Sequence, residues 1–201
     1  AIFNANDEQL RSGDQNFAFK QNPDLFYLSG IDQEQSILIL FPDCPNPLYR
    51  EVLFLRQTND YIKVWEGHKY TKEGAQQASG IQQIFWLDEF WTVLQSIIHY
   101  AENIYLNTNE NDRSVYEVPY RDLRFIQQLK ERYPLHQYER SALILRDLRP
   151  VKSEIEVQLT KKACEITRDA FVRVLKFTKP GVTEYEIEAE IIHEFIRQRA
   201  T

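Results

Sequence analysis

Short apolar runs alternate with longer amphipathic stretches over residues 1 to about 148. Short apolar runs bounded by turn formers favour strands, and apolar residues three or four apart favour helices. Strands are predicted at residues 1–3, 25–28, 36–41, 51–55, 62–65, 83–86 and 103–106, and helices at 71–78, 88–101 and 120–133. The alternation predicts an α/β fold, in which helices cover a sheet.

The predicted helix at 88–101 has one apolar face and therefore belongs to the core. Its apolar residues recur at helical spacing and are Phe90, Val93, Leu94, Ile97 and Ile98. The run 107–114 contains only polar and charged residues, many of them loop formers, and is predicted to be a surface loop.

Two long helices are predicted after Leu148. Ser153 with Glu156, and Thr183 with Glu186, have the spacing of capping boxes, in which paired side chains satisfy backbone N–H groups at a helix start. The first helix carries a long apolar stripe and should end before Pro180 and Gly181. The stripe consists of Ile155, Leu159, Ala163, Ile166, Ala170 and Val174.

Both helices need an apolar partner surface, which the sequence up to Thr201 does not supply. We therefore expect a domain boundary near Arg149 and Pro150. Residues 1–148 would form one α/β domain, and residues 149–201 would begin a second, incomplete one.

Composition and charge exclude several classes of protein. Hydrophobic residues make up 43% and charged residues 27% of the chain, and no apolar run approaches the roughly 20 residues of a membrane-spanning helix. The net charge of -6 argues against nucleic-acid binding, which needs a basic face.

Cys44 and Cys164 stand in no disulfide pattern, and no secretion signal is visible at the start. We expect free thiols and a cytoplasmic protein.

The chain shows no complete active site. His193 and Glu194 begin an H-E-x-x-H pattern, but Arg197 occupies the place of the second histidine. Glutamates recur at every second position from Glu184 to Glu190, and Glu194 follows; residues two apart on a helix point to different sides, so the series is read mainly as a solvated face. No phosphate-binding glycine loop and no nucleophile turn is present. We expect neither catalytic nor metal-binding residues in these 201 residues.

The segment Trp65-Glu66-Gly67-His68 is the one candidate for an exposed functional feature. It is predicted at a strand end, before a helix. A tryptophan there can contact a ligand or a subunit, since its ring is apolar and carries one N–H group. Local packing is the alternative, and the residues alone leave both open.

Three stretches resemble aminopeptidase P, the Xaa-Pro aminopeptidase branch of the creatinase/prolidase family. They are KQNPDLFYLSG at 20–30, VWEG at 64–67, and the segment 148–200 with its R-x-x-K-S-x-x-E start and PGVTEYE turn. The resemblance implies a mixed-sheet N-terminal domain of the creatinase type. Residues 149–201 would then be the first two helices of an α+β "pita-bread" catalytic domain.

The resemblance also implies a function. Similar enzymes are metallopeptidases that remove an N-terminal residue preceding proline with two divalent ions, manganese being the expected metal. Their ligands, two Asp, one His and two Glu, would lie beyond Thr201. A homo-oligomer, dimer or tetramer, would be the working form, and Trp65 would approach the active site of a neighbouring subunit. Lys20, where relatives commonly have Arg, and His68, where a basic residue is common, depart from the family pattern.

Two alternatives share this scaffold. One is a non-catalytic relative that serves protein interaction, and the other is a prolidase or creatinase with another substrate. The fold by itself does not choose among them.

Overall fold

The computed structural model describes residues 1–59, 61–62 and 64–200, together with the backbone of residues 60 and 63. The chain divides into two compact units, Ala1–Arg146 and residues from Asp147 onward. Thr201, which closes the predicted range 149–201, lies outside the described residues.

The first unit is built on a six-stranded mixed sheet. Its strands are β1 (Ile2–Asn4), β4 (Ile37–Leu40), β5 (Glu51–Leu55), β6 (Gln83–Trp86), β7 (Asn103–Leu106) and β8 (Gln137–Arg140). Their order is β6-β5-β4-β1-β7-β8. Strand β4 runs antiparallel to β1 and β5, while β5 with β6, β1 with β7 and β7 with β8 are parallel. The predicted α/β fold with a mixed sheet is confirmed.

Alternating side chains of the central strands fill two cores, one on each face of the sheet. Ile37 and Ile39 enter one core and Leu38 the other, because successive residues of a strand point to opposite faces. Val52 and Phe54 likewise face one core, whereas Leu53 and Leu55 face the second.

Helices cover both faces of this sheet. The helices of this part of the chain are α1 (Pro23–Ser29), α2 (Asp60–Glu66), α3 (Lys72–Ser79), α4 (Phe90–Ile97), α5 (Arg121–Arg132) and α6 (Ala142–Leu148). Among the described residues, each of these helices except α2 carries buried residues of one of the two cores. Short 3-10 turns, Leu87–Glu89 and Ile98–Tyr100, flank α4. The helices predicted at 71–78, 88–101 and 120–133 are confirmed, and the predicted apolar face of α4 is buried.

Two predicted strands are wrong. Residues 25–28 belong to α1, because Asn22 accepts hydrogen bonds from the N–H groups of Asp24 and Leu25, and Gly30 closes the helix in the left-handed conformation. Residues 62–65 belong to α2, which begins where Asn59 accepts a hydrogen bond from the N–H of Ile62. In both places the capping residues at the two ends stabilise a helix, and their effect exceeds the preference of the four residues for a strand.

Several short elements of the described chain were not predicted. Strand β8 carries polar side chains because it lies at the sheet edge, next to β7 alone. A two-stranded hairpin, β2 (Leu10–Ser12) with β3 (Gln15–Asn16), has only exposed residues, so no apolar alternation marks it. Helix α6 is short and buries only Leu145.

The second unit contains two helices, α7 (Glu154–Phe177) and α8 (Glu184–Arg197). At the start of α7, Glu156 donates its N–H to the Ser153 hydroxyl at 3.3 Å, and its carboxylate accepts from the Ser153 N–H at 2.8 Å. At α8 the Glu186 carboxylate accepts from the N–H and the hydroxyl of Thr183, each at 2.7 Å. Both predicted helix starts are confirmed.

The predicted apolar stripe of α7 is only partly covered. Ile166 and Ala170 are buried, whereas Ile155 and Leu159 near the helix start are exposed. Within the part of the chain that the structure describes, no helix is long and apolar enough to cross a membrane.

Candidate functional site

Trp65 lies in the last turn of α2, and the expectation that it ends a strand is therefore wrong. Its side chain is 74% exposed, and its ring lies 6.3 Å from the ring of Tyr61, which is equally exposed. Val64 beside it is also exposed. Three neighbouring apolar side chains of this helix are thus exposed.

The ends of α2 are defined by two loop residues. The Oδ1 atom of Asn59 accepts the Ile62 N–H at 2.8 Å. Gly67 ends the helix with φ +80°, a conformation that glycine adopts without the steric cost borne by other residues. The chain then turns inward, so that Lys69 is buried while His68 stays exposed against the Tyr70 ring.

A charged network lies at the base of this helix. Arg56, directly after β5, donates from both terminal nitrogens to the Glu66 carboxylate at 2.5 and 3.0 Å. One of these nitrogens also lies 3.4 Å from Oε1 of Glu34. The same Glu34 oxygen is 2.6 Å from Nζ of Lys69. The hydrogen bond to Glu66, opposed by partial burial, raises the pKa of the Arg56 guanidinium.

Glu34 and Lys69 are the buried members of the network, with 4% and 6% of their surfaces exposed. A buried charge is costly unless it is paired, so each of the two requires the other. Arg56 and Glu66 are more exposed to solvent. Each hydrogen bond between them therefore stabilises the fold less than one between buried charges would.

The loop that carries Glu34 is held by several hydrogen bonds. The Oε1 atom of buried Gln33 accepts the Tyr70 N–H at 2.7 Å, and Gln21 donates to the Gln33 carbonyl at 2.9 Å. Gln35 has φ 53°, which strains a residue other than glycine and persists only where the surroundings enforce it. These bonds hold the backbone directly before Glu34.

Sequence reasoning missed Glu34, Arg56 and Lys69. The three residues come from a loop, a strand end and the segment after α2, and no spacing along the chain connects them. Of the four charged residues in this network, Glu66 alone belongs to the segment 65–68 that the sequence analysis singled out.

A second buried polar cluster lies where strands β1 and β7 end. The Nδ2 atom of Asn4 donates to Asp122 at 2.9 Å, Asn107 donates to Asp24 at 3.0 Å, and the Ser141 hydroxyl lies 3.2 Å from the Oδ1 atom of Asn107. Burial raises the pKa of Asp122 from 3.8 to about 6, although the Asn4 hydrogen bond and Arg121 lower it. The cluster ties the strand ends to the first turns of α1 and α5.

The residues that the structure describes do not fit a metal site. Among the described residues, no group of three His, Cys, Asp or Glu side chains is placed to hold a metal ion. In α8, Glu190 and Glu194 both pair with Arg173, so these two carboxylates serve an ion-pair network within the unit. His193 is exposed.

Comparison with known proteins gives two family matches. Residues 1–105 match the family described as aminopeptidase P, N-terminal domain, and residues 158–201 match metallopeptidase family M24. Both fall on stretches that carried the resemblance to aminopeptidase P, which is thereby confirmed.

Individual relatives agree with these matches. The Xaa-Pro aminopeptidases of Haemophilus influenzae and Escherichia coli are each 27% identical to the chain, over 96% and 100% of its length. These matches cover 42% and 45% of the two relatives. The solved structure of Pseudomonas aeruginosa aminopeptidase PepP superimposes with a TM-score of 0.80 and 25% identity, over 98% of this chain and 44% of that one. The chain therefore spans less than half the length of the relatives it matches.

Proposed function

Because this chain belongs to the aminopeptidase P family, we propose that its protein is a metal-dependent Xaa-Pro aminopeptidase, which removes an N-terminal residue that precedes proline. The observation that carries the proposal is the match of the aminopeptidase P N-terminal domain to residues 1–105, joined in the same chain to a metallopeptidase match at 158–201. In this proposal, residues 1–148 form the N-terminal domain and residues 149–201 the first helices of the catalytic domain.

The proposed substrate class is that of the relatives, which are named Xaa-Pro aminopeptidases, and the chemistry of proline explains why such an enzyme is needed. A peptide bond to proline has no N–H group, and its ring fixes the backbone angle φ. A peptidase that holds its substrate through that N–H cannot act there, so the bond requires a dedicated enzyme. We propose peptides with proline in the second position as substrates.

We propose two divalent ions, manganese first among them, as the cofactor of the whole protein. Carboxylate and imidazole ligands suit such ions, which act on peptide bonds as Lewis acids. The described residues do not fit a metal site, so none of them would hold these ions.

Trp65 is our candidate for contact with substrate or with a neighbouring subunit. Its ring is 74% exposed on a helix that also exposes Tyr61 and Val64, and such a patch is typical of an interaction surface. A homo-oligomer, dimer or tetramer, would bury this patch. Cys164, a free and exposed thiol, is compatible with the reducing cytoplasm that we propose as the compartment.

The test measures release of the N-terminal residue by the protein at its natural length. A tripeptide with proline second is compared with one that has alanine second, with and without manganese. We expect release from the proline peptide alone and dependence on the ion. Equal release from both peptides contradicts the substrate class, and no release with any divalent ion favours the non-catalytic relative.

Trp65→Ala tests the site in the same assay. Loss of a central tryptophan contact costs about 2 kcal/mol, which corresponds to roughly a 30-fold drop in kcat/KM or in subunit affinity. Tyr100→Ala is the matched control, since it also removes an exposed aromatic ring but lies outside α2. If Trp65→Ala behaves like the control, Trp65 does not belong to the site.

A further inference from the structure

The described side chains of helix α2 form no buried face. The helix is seven residues long, and none of its described side chains is buried. Ile62 is half-buried, whereas Tyr61, Val64 and Trp65 are each more than two-thirds exposed. A helix this short is not stable alone in water and usually depends on packing of an apolar face. Helix α2 must therefore be held mainly by its ends.

The C-terminal end is held by charges. Glu66, in the last turn, receives two hydrogen bonds from Arg56, which is fixed at the end of the buried strand β5. This paired geometry defines an orientation as well as a distance, because both guanidinium nitrogens must meet the two carboxylate oxygens. The contact therefore restrains rotation of the helix end.

Arg56 is oriented in turn by Glu34. Oε1 of Glu34 accepts from Arg56 at 3.4 Å and lies 2.6 Å from Nζ of Lys69, which follows Gly67 by two residues. One buried carboxylate thus connects the loop at 33–36, the end of β5 and the segment that leaves α2. Ile62 is the one described apolar side chain of α2 that is partly buried, so apolar packing gives this helix little additional support.

We propose that Glu34 is a positioning residue, which acts through Arg56 and Glu66 to hold helix α2 and so to orient the ring of Trp65. The part that concerns Trp65 rests on the proposed function. The holding of α2 is independent of it and can be measured without any substrate.

Amide hydrogen exchange in the natural-length protein tests the first part. Arg56→Gln breaks the link between Glu34 and Glu66 and leaves the buried Glu34–Lys69 pair intact. We expect the amides of α2 to exchange roughly fivefold faster, while those of β5 and α3 keep their rates. Arg56→Lys, which keeps one charged contact, should restore part of the protection. Arg140→Gln, which breaks another Arg–Glu pair of the first unit, with Glu110, is the control and should leave the exchange rates of α2 unchanged.

Glu34→Gln should accelerate exchange in α2 as well, but it leaves Lys69 buried without its partner, and this variant can fail to fold. If it does fail to fold, the exchange rates of α2 in Arg56→Gln decide whether the network holds this helix. Unchanged exchange in α2 overturns the proposal, and so does an equal acceleration throughout the residues of the first unit, since that reports general loss of stability.

A double-mutant cycle tests the part that concerns Trp65. If Glu34 and Arg56 act through the ring, Arg56→Gln should lower kcat/KM for the proline peptide and add nothing to Trp65→Ala. Effects that multiply in the double variant overturn the role of the network in orienting Trp65. If Trp65→Ala alone leaves kcat/KM unchanged, the proposed role of Trp65 fails, whereas the exchange rates of α2 still decide the positioning role.

Discussion

Because the Asp122 carboxyl is buried, we expect the free energy of unfolding to depend on pH in an unusual way. The carboxyl is 4% exposed in the first turn of α5 and accepts a hydrogen bond from Asn4 at 2.9 Å. Burial raises its pKa from 3.8 to about 6. The change to study is Asp122→Asn, which keeps the shape and the oxygen that accepts from Asn4 but cannot ionise.

The magnitude follows from the shift in pKa. Because the folded pKa is the higher one, the folded state binds the proton of Asp122 more tightly than the unfolded state. The resulting stabilisation is complete below the unfolded pKa and is lost as the pH rises through the folded pKa. A shift of about 2 units corresponds to roughly 3 kcal/mol. Asp122→Asn should therefore be up to about 3 kcal/mol more stable than the unchanged protein at pH 8 and nearly equal to it at pH 4.

Urea unfolding followed by tryptophan fluorescence is a suitable assay, since Trp65, Trp86 and Trp91 all lie in the first unit. The free energy of unfolding is measured between pH 4 and pH 8 for both proteins. Subtracting one value from the other at each pH cancels the contributions of all ionisable groups that the two proteins have in common. Asp112→Asn, at an exposed loop carboxylate, is the control and should show no such trend. A difference that stays constant with pH, or grows as the pH falls, refutes the reasoning.

Two further predictions concern the core and the thiols. Phe54 is fully buried with its ring 5.1 Å from that of Phe90, so Phe54→Ala should lower the free energy of unfolding by about 3–5 kcal/mol in the same urea assay, and a loss below about 1 kcal/mol contradicts this packing. Cys164 is exposed and Cys44 is fully buried, so a thiol reagent should label the native protein at Cys164 alone, whereas rapid labelling of Cys44 before unfolding contradicts its burial.

Much of the central sheet could be predicted from local pattern. Ile37, Leu38 and Ile39 belong to a run bounded by turn formers, and the structure divides them between two cores as strand geometry requires. The helix starts at Ser153 and Thr183 were readable because a capping box involves residues only three apart. The polar run at 107–114 likewise forms no helix or strand.

The strand predictions were wrong or missing where the pattern of neighbouring side chains gave a weak or conflicting signal. Residues 25–28 and 62–65 are apolar or strand-favouring runs of four, too short to show whether their period is that of a strand or a helix. The polar strand β8 carried no signal, because its place at the sheet edge removes the need for apolar side chains.

Of the candidate site, the sequence determined the presence of Trp65 and the glycine that ends its helix, since both are local properties of one segment. Only the tertiary structure decided that the ring is exposed and that Glu34, Arg56 and Lys69 meet beneath its helix. The physical reason is the range of the interactions. Caps and periodicity act within a few residues, whereas a buried ion pair depends on the packing that brings distant segments together.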